Sequence, residues 1–325
     1  MKVSQFQKGV SSPAAPRPAL PLKGPSKQGR VVCELADSKR LLAFRFRAHR
    51  LPQDSNQMEL SLILFYITLA LYAAATVGYM AHLTWLDRPV WKISRWLLFT
   101  GFLSQSAGLV LRALEAGYTP VTTRFEAMTF FAWLLVGIYL LVQIRNSMPV
   151  VGAFVAPLAL VLVLLASFRD MKVAPLAGLL DSPWLPFHVW FAFLGDALLG
   201  LSACFAAMYL IQERQLKKKK IHRLYYRLPP LEVLDRWSYR CVSLGFPALT
   251  IGMLTGALWL NTVQGAYLDW KDGRQTATLL TWFLYAGLLH GRLTVGWRGR
   301  RVAWLNVIGF LVILVTFVHL AHFAR

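Results

Sequence analysis

Long apolar runs alternate along this chain with short polar segments that carry most of its charge. A helix needs about 20 apolar residues to cross the hydrocarbon core of a bilayer, and eight runs meet or approach that length. They cover residues 60–83, 96–114, 127–144, 150–168, 187–211, 241–263, 276–293 and 302–324. The pattern predicts an all-α polytopic membrane protein, built as a bundle of eight transmembrane helices.

The composition agrees with this class of protein. Of the 325 residues, 56% are hydrophobic, and the formal net charge is +20. Most Lys and Arg residues fall between the apolar runs, so the charge marks membrane sidedness, and the expected partner is the lipid bilayer and not a nucleic acid. The cysteines Cys33, Cys204 and Cys241 form no CxxC pair, which indicates neither a disulfide framework nor a thiol relay.

The basic residues favour one orientation of the bundle. Lys and Arg accumulate in cytoplasmic loops, and 17 of them lie at one end of the spans against seven at the other. This distribution places the polar loop at 265–274 and the C-terminus on the external side. We expect a multi-pass protein of a bacterial cytoplasmic (inner) membrane.

Residues 1–57 depart from this rule, because they carry 11 basic residues and would lie outside. The segment is rich in proline and has no apolar signal-peptide core. The run MELSLILFYITLALYAAA from Met58 reads like a natural start. Residues 1–57 are therefore either a disordered basic tail or an upstream over-extension of the coding region, and residues 58–325 form the membrane domain.

Five histidines near the ends of the spans are candidates for chemistry. His82 and His290 lie toward the cytoplasmic leaflet, whereas His188, His319 and His322 lie toward the external side. Imidazole is a common axial ligand of haem iron, so the two groups permit an inner and an outer haem site. Interfacial histidines that bond lipid or backbone are the alternative. His319 and His322 share one helix face, so only one of them is expected to be a ligand.

A few other polar residues lie where the membrane should disfavour them. Asp196 lies two turns below His188, where it either bonds a neighbouring helix or has a proton-linked or ligand-supporting role. Arg112, Arg124 and Glu126 lie at the outer ends of the second and third spans, where they either snorkel to the interface or contact an anionic ligand such as a haem propionate. No GxSxG, HExxH or Walker-type motif is present, so we expect no enzyme activity.

Four stretches resemble the CcsA/CcmC-type cytochrome c assembly proteins, in the order of that family. They are GYTPVTTRFEAMTFFAW (117–133), FVAPLALVLVLLASF (154–168), SPWLPFHVWFAFLG (182–195) and LTWFLYAGLLHGRLTVGWRGRRVAWLNVIGF (280–310). The resemblance covers about residues 60–325. It implies a protein of eight spans that handles haem, here haem b, through an external tryptophan-rich loop, the WWD motif, for delivery in cytochrome c assembly.

The resemblance also implies roles for particular residues. His188 is similar to the first external haem ligand and His290 to the histidine within the membrane, and His319 or His322 would replace the second external ligand. The implied partners are haem, apocytochrome c and other membrane subunits of cytochrome c assembly.

The loop that corresponds to the WWD motif is degenerate. Gly265, Tyr267 and Trp270 remain of the family pattern, whereas two tryptophans and a Pro-Lys-Glu sequence are missing. Such a loop resembles the HemX and YpjD branches. The sequence therefore leaves a second interpretation open, a HemX-like membrane regulator or scaffold of tetrapyrrole biosynthesis without haem delivery.

Overall fold

The computed structural model describes most of the chain from Ser55 onward, and what it describes is helical. It covers residues 55–84, 90–116, 121, 123–146, 148–169, 171, 182, 184–219, 223–268 and 270–319. The helices are α1 (Ser55–Thr84), α2 (Val90–Ala116), α3 (Arg124–Arg145), α4 (Pro149–Ser167), α5 (Trp184–Lys217), α6 (Arg223–Arg227), α7 (Leu231–Gln264), α8 (Gly273–Thr294) and α9 (Arg300–His319).

Each of the eight predicted spans corresponds to one long helix, and the short α6 lies in the basic segment between the fifth and sixth. This confirms the all-α polytopic membrane fold. Within the described residues, seven helices are long and apolar enough to cross a membrane by length and composition. The exception is α8, whose span was among the shortest in the sequence and which carries threonines, His290 and Arg292.

Local signals in the sequence account for several helix ends. Thr123 begins α3 with a capping box, in which its side chain accepts from the Glu126 N–H and the Glu126 side chain accepts from the Thr123 N–H. Pro149 opens α4. Gly265 ends α7 in the left-handed conformation, with φ of 71°, where a glycine avoids the steric penalty of a Cβ atom.

The long helices α5 and α7 pack closely, because glycines let their backbones approach. A Cβ atom on Gly195 would lie 2.7 Å from the backbone nitrogen of Leu249, and one on Gly252 would lie 2.7 Å from that of Ala192. Small residues allow this approach between membrane helices, where apolar side chains gain little by leaving lipid. Helix α9 packs against α5 and α8, whereas α1 packs against α2 and α4.

The outward surface is apolar, as a membrane domain requires. Val77, Leu114, Ile144, Phe283 and Leu293 each expose more than 60% of their surface. Cys204 and Cys241 are buried free thiols, and Cys33 lies outside the described residues.

Only the last three residues of the segment 1–57 belong to the described part of the chain. They form the first turn of α1, which begins at Ser55. The two interpretations of residues 1–54 lie outside the described residues and stay predictions.

Candidate cofactor-binding cavity

A cavity of about 430 Å³ opens among five helices at one end of the bundle. It is lined by the N-terminal parts of α3, α5 and α8, by α7 from Leu249 to Trp259 and by the last turns of α9. The charge distribution predicts this end to be external. Its size falls within the range of roughly 300–1,000 Å³ that is typical of small-molecule and cofactor sites. Much of its wall is apolar, with Met128, Val189, Phe193, Leu249, Met253, Ile313 and Phe317.

His188 lines this cavity and is held by α7. Its Nδ1 atom lies 2.7 Å from the carbonyl oxygen of Gly252, and its ring stacks on the Trp259 ring with centroids 6.4 Å apart and planes 8° from parallel. A carbonyl oxygen can only accept a hydrogen bond, so Nδ1 carries the proton. In the neutral ring, Nε2 then keeps its lone pair, which is the arrangement found in metal-ligating histidines.

Two glycines on α7 create the space for this histidine. A Cβ atom on Gly256 would lie 2.6 Å from Nδ1 of His188, and Gly252 both accepts the hydrogen bond and allows the close approach of Ala192. The two glycines are four residues apart, so they share a helix face. This face of α7 positions the imidazole.

Positive charge gathers in the lining of the cavity. Arg124 is the first residue of α3 and Arg274 the second residue of α8, and both line the cavity. Helix N-termini favour negative charge, so the two helix starts and the two guanidinium groups act in the same direction. The indole N–H of Trp259, also in the lining, is buried and has no hydrogen-bond partner among the described residues.

Asp196 lines the cavity two turns below His188 on α5. The sequence left open whether it bonds a neighbouring helix, and none of the described residues donates a hydrogen bond to its carboxyl group. Thr281 of α8 lines the same cavity and is buried.

The snorkelling interpretation from the sequence does not fit Arg112. It is 3% exposed and therefore does not snorkel, and it does not line the cavity. Its Nη2 atom lies 3.7 Å from the buried Glu126 carboxylate and donates to the carbonyl oxygen of Met171 at 2.5 Å. The guanidinium also lies over the Phe125 ring. Arg112 and Glu126 form a buried ion pair, and Arg124 alone of the three reaches the cavity.

The loop after α7 lies apart from the cavity lining. Tyr267 is 62% exposed and Trp270 is 72% exposed, and neither lines the cavity. Gly265 has a structural role as the end of α7. Asp272 caps α8 by accepting from the Arg274 N–H at 2.9 Å, and its carboxylate lies 3.5 Å from the Arg274 Nε.

The two histidines predicted to lie toward the cytoplasmic leaflet, His82 and His290, are away from the cavity. His290 lies about 24 Å along α8 from Arg274 at 1.5 Å per residue and is exposed on the helix surface. His82 lies half-buried near the C-terminal end of α1. The backbone of His319 ends α9, its side chain is outside the described part, and His322 is outside it altogether. The structure thus brings His188, and none of the other histidines whose side chains it describes, to the cavity.

Sequence reasoning missed Arg274 as part of the site and did not identify the glycine face of α7. The spacing of Gly252 and Gly256 was a usable signal, because a small residue four positions from another marks close helix contacts in membranes. Arg274 had no such signal, since it reaches the site through the packing of α8 against α7 and α9. No cluster of three or more His, Cys, Asp or Glu residues in the described ranges could hold a bare metal ion.

These features define an integral membrane protein with a cofactor-sized cavity, which presents one histidine nitrogen and two arginines. A family model described as "Cytochrome C assembly protein" matches residues 121–321, a range that contains the whole cavity. The chain belongs to this family.

Individual relatives cover most of the chain. It is 32% identical over 271 residues to a "Cytochrome c biogenesis protein CcsA" of Trieres chinensis, with 72% of this chain and 86% of the relative covered. Proteins of the same name from Synechococcus elongatus and Guillardia theta are 34% identical over 260 residues and 33% identical over 225 residues. The matches cover 66% and 63% of this chain, and 80% and 74% of the relatives. The resemblance stated from the sequence motifs is confirmed.

Proposed function

We propose that this protein binds haem in the cavity and presents it at the external face of the membrane during cytochrome c assembly. The observation that carries the proposal is the hydrogen bond from His188 Nδ1 to the Gly252 carbonyl. Because Nδ1 carries the proton of the neutral ring, Nε2 keeps its lone pair and can bind iron. A haem needs one or two protein ligands to its iron. An imidazole whose other ring nitrogen is held by a hydrogen bond is suited to that role.

The remaining lining suits the other parts of a haem. Its apolar wall matches a porphyrin face, and Arg124 and Arg274 would bind the two carboxylates by charge-assisted hydrogen bonds. The indole N–H of Trp259 supplies a further donor. A haem b, held by coordination and without a covalent bond to this chain, meets these requirements.

A second iron ligand would come from the end of α9. Thr316 of α9 lines the cavity, and His319 follows it by three residues, one turn along the helix. His322 follows three residues later in the sequence. Either histidine would complete a pair of axial ligands with His188.

The exposed loop after α7 and the exposed His290 would contact protein partners. Tyr267 and Trp270 present aromatic surface beside the predicted external face, where apocytochrome c would approach. His290 faces outward from α8 within the predicted membrane region, where another membrane subunit of the assembly system would cover it. In this role the chain is an assembly factor without a catalytic residue, and the predicted location is a bacterial cytoplasmic membrane.

The relatives favour this function over the HemX-like alternative. The proteins of Trieres chinensis, Synechococcus elongatus and Guillardia theta are all named for cytochrome c biogenesis. The loss of two loop tryptophans was the ground for the alternative, and the cavity lining does not include the loop residues that remain.

Haem titration of the detergent-purified protein tests the proposal. We expect the absorption spectrum of haem with nitrogen ligation, and we expect His188→Gly to lose it and added imidazole to restore it, since free imidazole replaces the missing side chain. His82→Ala is the matched control and should keep the absorption spectrum of the haem bound through His188. A spectrum that His188→Gly leaves unchanged would overturn the proposal, and His319→Ala and His322→Ala measured separately would identify the second ligand.

A further inference from the structure

Basic side chains gather at the end of the bundle opposite the cavity, which the charge distribution predicts to be cytoplasmic. They come from the C-terminal end of α5 and the start of α9, with the residues next to these helix ends, and all seven are exposed. We call this surface the basic cluster, which consists of Arg214, Lys217, Lys218, Lys219, Arg298, Arg300 and Arg301.

The tertiary structure brings the two basic segments together. The Lys217 Nζ atom lies 2.6 Å from one carboxylate oxygen of Glu213, and the Arg300 Nε atom lies 4.0 Å from the other. Gly299, with φ of 72°, allows this approach, because an added Cβ atom would lie 2.9 Å from the Tyr209 hydroxyl of α5. Segments that are far apart in the chain therefore form one surface.

Most of the positive charge in the basic cluster is uncompensated. Among the described residues, Glu213 is the one acidic side chain that pairs with members of the cluster, and Lys217 and Arg300 share it. The Glu213 side chain is only 14% exposed, so little of its charge faces outward. Neighbouring like charges repel one another, and an anionic ligand would relieve this repulsion.

An exposed face of α9 continues directly from the basic cluster. It begins with Arg301 and goes on at intervals of three and four residues, which places its members on one side of the helix. The apolar members form what we call the α9 stripe, and each is 45–57% exposed: Trp304, Ile308, Leu311 and Val315. The stripe is about 16 Å long at 1.5 Å per residue. This length is close to the hydrocarbon thickness of one leaflet, half of about 30 Å.

The two surfaces match the two parts of an anionic glycerophospholipid. Guanidinium groups bind phosphate oxygens through paired hydrogen bonds, and the cluster holds three arginines within four residues, Arg298, Arg300 and Arg301. Acyl chains would pack along the α9 stripe. Tryptophan favours the boundary between headgroups and chains, and Trp304 lies one turn from Arg301 on the same face.

We propose that the basic cluster and the α9 stripe bind an anionic glycerophospholipid, with its phosphate on Arg298 and Arg301 and its acyl chains along the stripe. An acidic segment of a partner protein would match the charge alone and would leave the stripe uncovered, so the two features together favour a lipid. The proposal needs neither haem nor the cavity and does not rest on the proposed function.

Basic residues mark the cytoplasmic side of membrane proteins in general, and an anionic leaflet attracts all of them. The test must therefore separate a site from diffuse attraction. The full-length protein is placed in nanodiscs of phosphatidylethanolamine, in which a small fraction of the lipid carries bromine on its acyl chains. This fraction is either phosphatidylglycerol or phosphatidylethanolamine. Bromine quenches a nearby indole, and the emission of Trp304 is the difference between each protein and its Trp304→Phe variant.

We expect brominated phosphatidylglycerol to quench Trp304 roughly fivefold more effectively than brominated phosphatidylethanolamine, the factor for one basic residue near a lipid phosphate. The double variant Arg298→Gln/Arg301→Gln should lose most of this preference. Both side chains are exposed and pair with no acidic residue in the described ranges, so the fold should persist. Lys92→Gln/Arg145→Gln is the matched control, because it removes two exposed cations from the same end of the bundle, on α2 and α3.

Several results would overturn this proposal. Equal quenching by the two brominated lipids in the wild type would exclude a preference for anionic lipid. Equal losses in the two double variants would assign the preference to diffuse attraction.

Two competitors test the kind of ligand. Soluble glycerophosphoglycerol, the same headgroup without acyl chains, should leave the quenching unchanged, and full competition by it would identify a phosphate site that does not need a lipid. Full competition by a polyglutamate peptide would favour an acidic protein partner instead. All these measurements use protein without haem, so their outcome is separate from that of the proposed function.

Discussion

The Nδ1 atom of His188 donates to the carbonyl oxygen of Gly252 at a distance of 2.7 Å. This bond joins α5 to α7 and fixes which nitrogen of the imidazole carries the proton. The glycine face of α7 thus determines the chemistry of a residue on another helix.

Substitution of Gly256 should disturb this arrangement. The new Cβ atom of Gly256→Ala would lie 2.6 Å from His188 Nδ1, so the ring must move out of its orientation. We expect haem affinity to fall about 10- to 100-fold, as when groups that orient a metal ligand are changed. Gly287→Ala is the control, because no atom lies within 4 Å of its Cβ position. Equal haem affinity of the two variants in an absorption titration would contradict the role of Gly256.

Arg274 should contribute to selection of an anionic ligand. Arg274→Gln removes one guanidinium from the cavity lining, and we expect haem to bind roughly tenfold more weakly. This is the lower limit for a hydrogen bond to a charged group, and it applies because the Arg274 side chain is 62% exposed. The dimethyl ester of haem, which lacks both carboxylates, should bind the variant and the wild type equally. A variant that loses affinity for the ester as strongly as for haem would show that Arg274 acts through packing.

The pair of Arg292 and Asp235 should stabilise the contact of α8 with α7. Both Nη atoms of Arg292 bond the carboxylate, and the two side chains are only 10% and 21% exposed. We expect Arg292→Gln to lower the free energy of unfolding by about 2 kcal/mol, less than for a fully buried pair. Arg236→Gln is the matched control, because its pair with Glu232 is 57% and 84% exposed and should change stability by less than about 1 kcal/mol. Unfolding in mixed detergent micelles measures both free energies. Equal losses of stability in Arg292→Gln and Arg236→Gln would contradict the expected role of the Arg292–Asp235 pair.

The buried pair of Arg112 and Glu126 gives a test by double substitution. Arg112→Met leaves the Glu126 carboxylate without its buried counter-charge, and we expect a loss of roughly 3–5 kcal/mol. Glu126→Gln preserves the capping box with Thr123, so the double variant should be more stable than Arg112→Met alone. A double variant that is less stable than both single variants would show that the two residues do not interact as a pair.

Some parts of the site could be predicted from the sequence. His188 was predicted as an external candidate from its position at the start of a span, and Arg124 as a possible contact for a propionate. Arg112 could not be separated from Arg124, because both lie at span ends that the charge distribution predicts to be external, and only packing buries one of them. Asp196 was recognised as unusual, but its place in the cavity depends on how α8 and α9 close around α5.

The degenerate loop shows the same limit. The sequence placed Gly265, Tyr267 and Trp270 together as remnants of one motif, whereas in the structure Gly265 ends a helix and the two aromatic residues are exposed. Whether haem contacts these aromatic residues stays a prediction.

The sequence by itself determined the class of protein, the approximate positions of the long helices and the family. Hydropathy acts on each span separately, so these features can be read locally. Only the tertiary structure decided which polar groups meet. Arg124, His188 and Arg274 are far apart in the chain, and they line one cavity because the small residues of α5 and α7 let five helix ends converge.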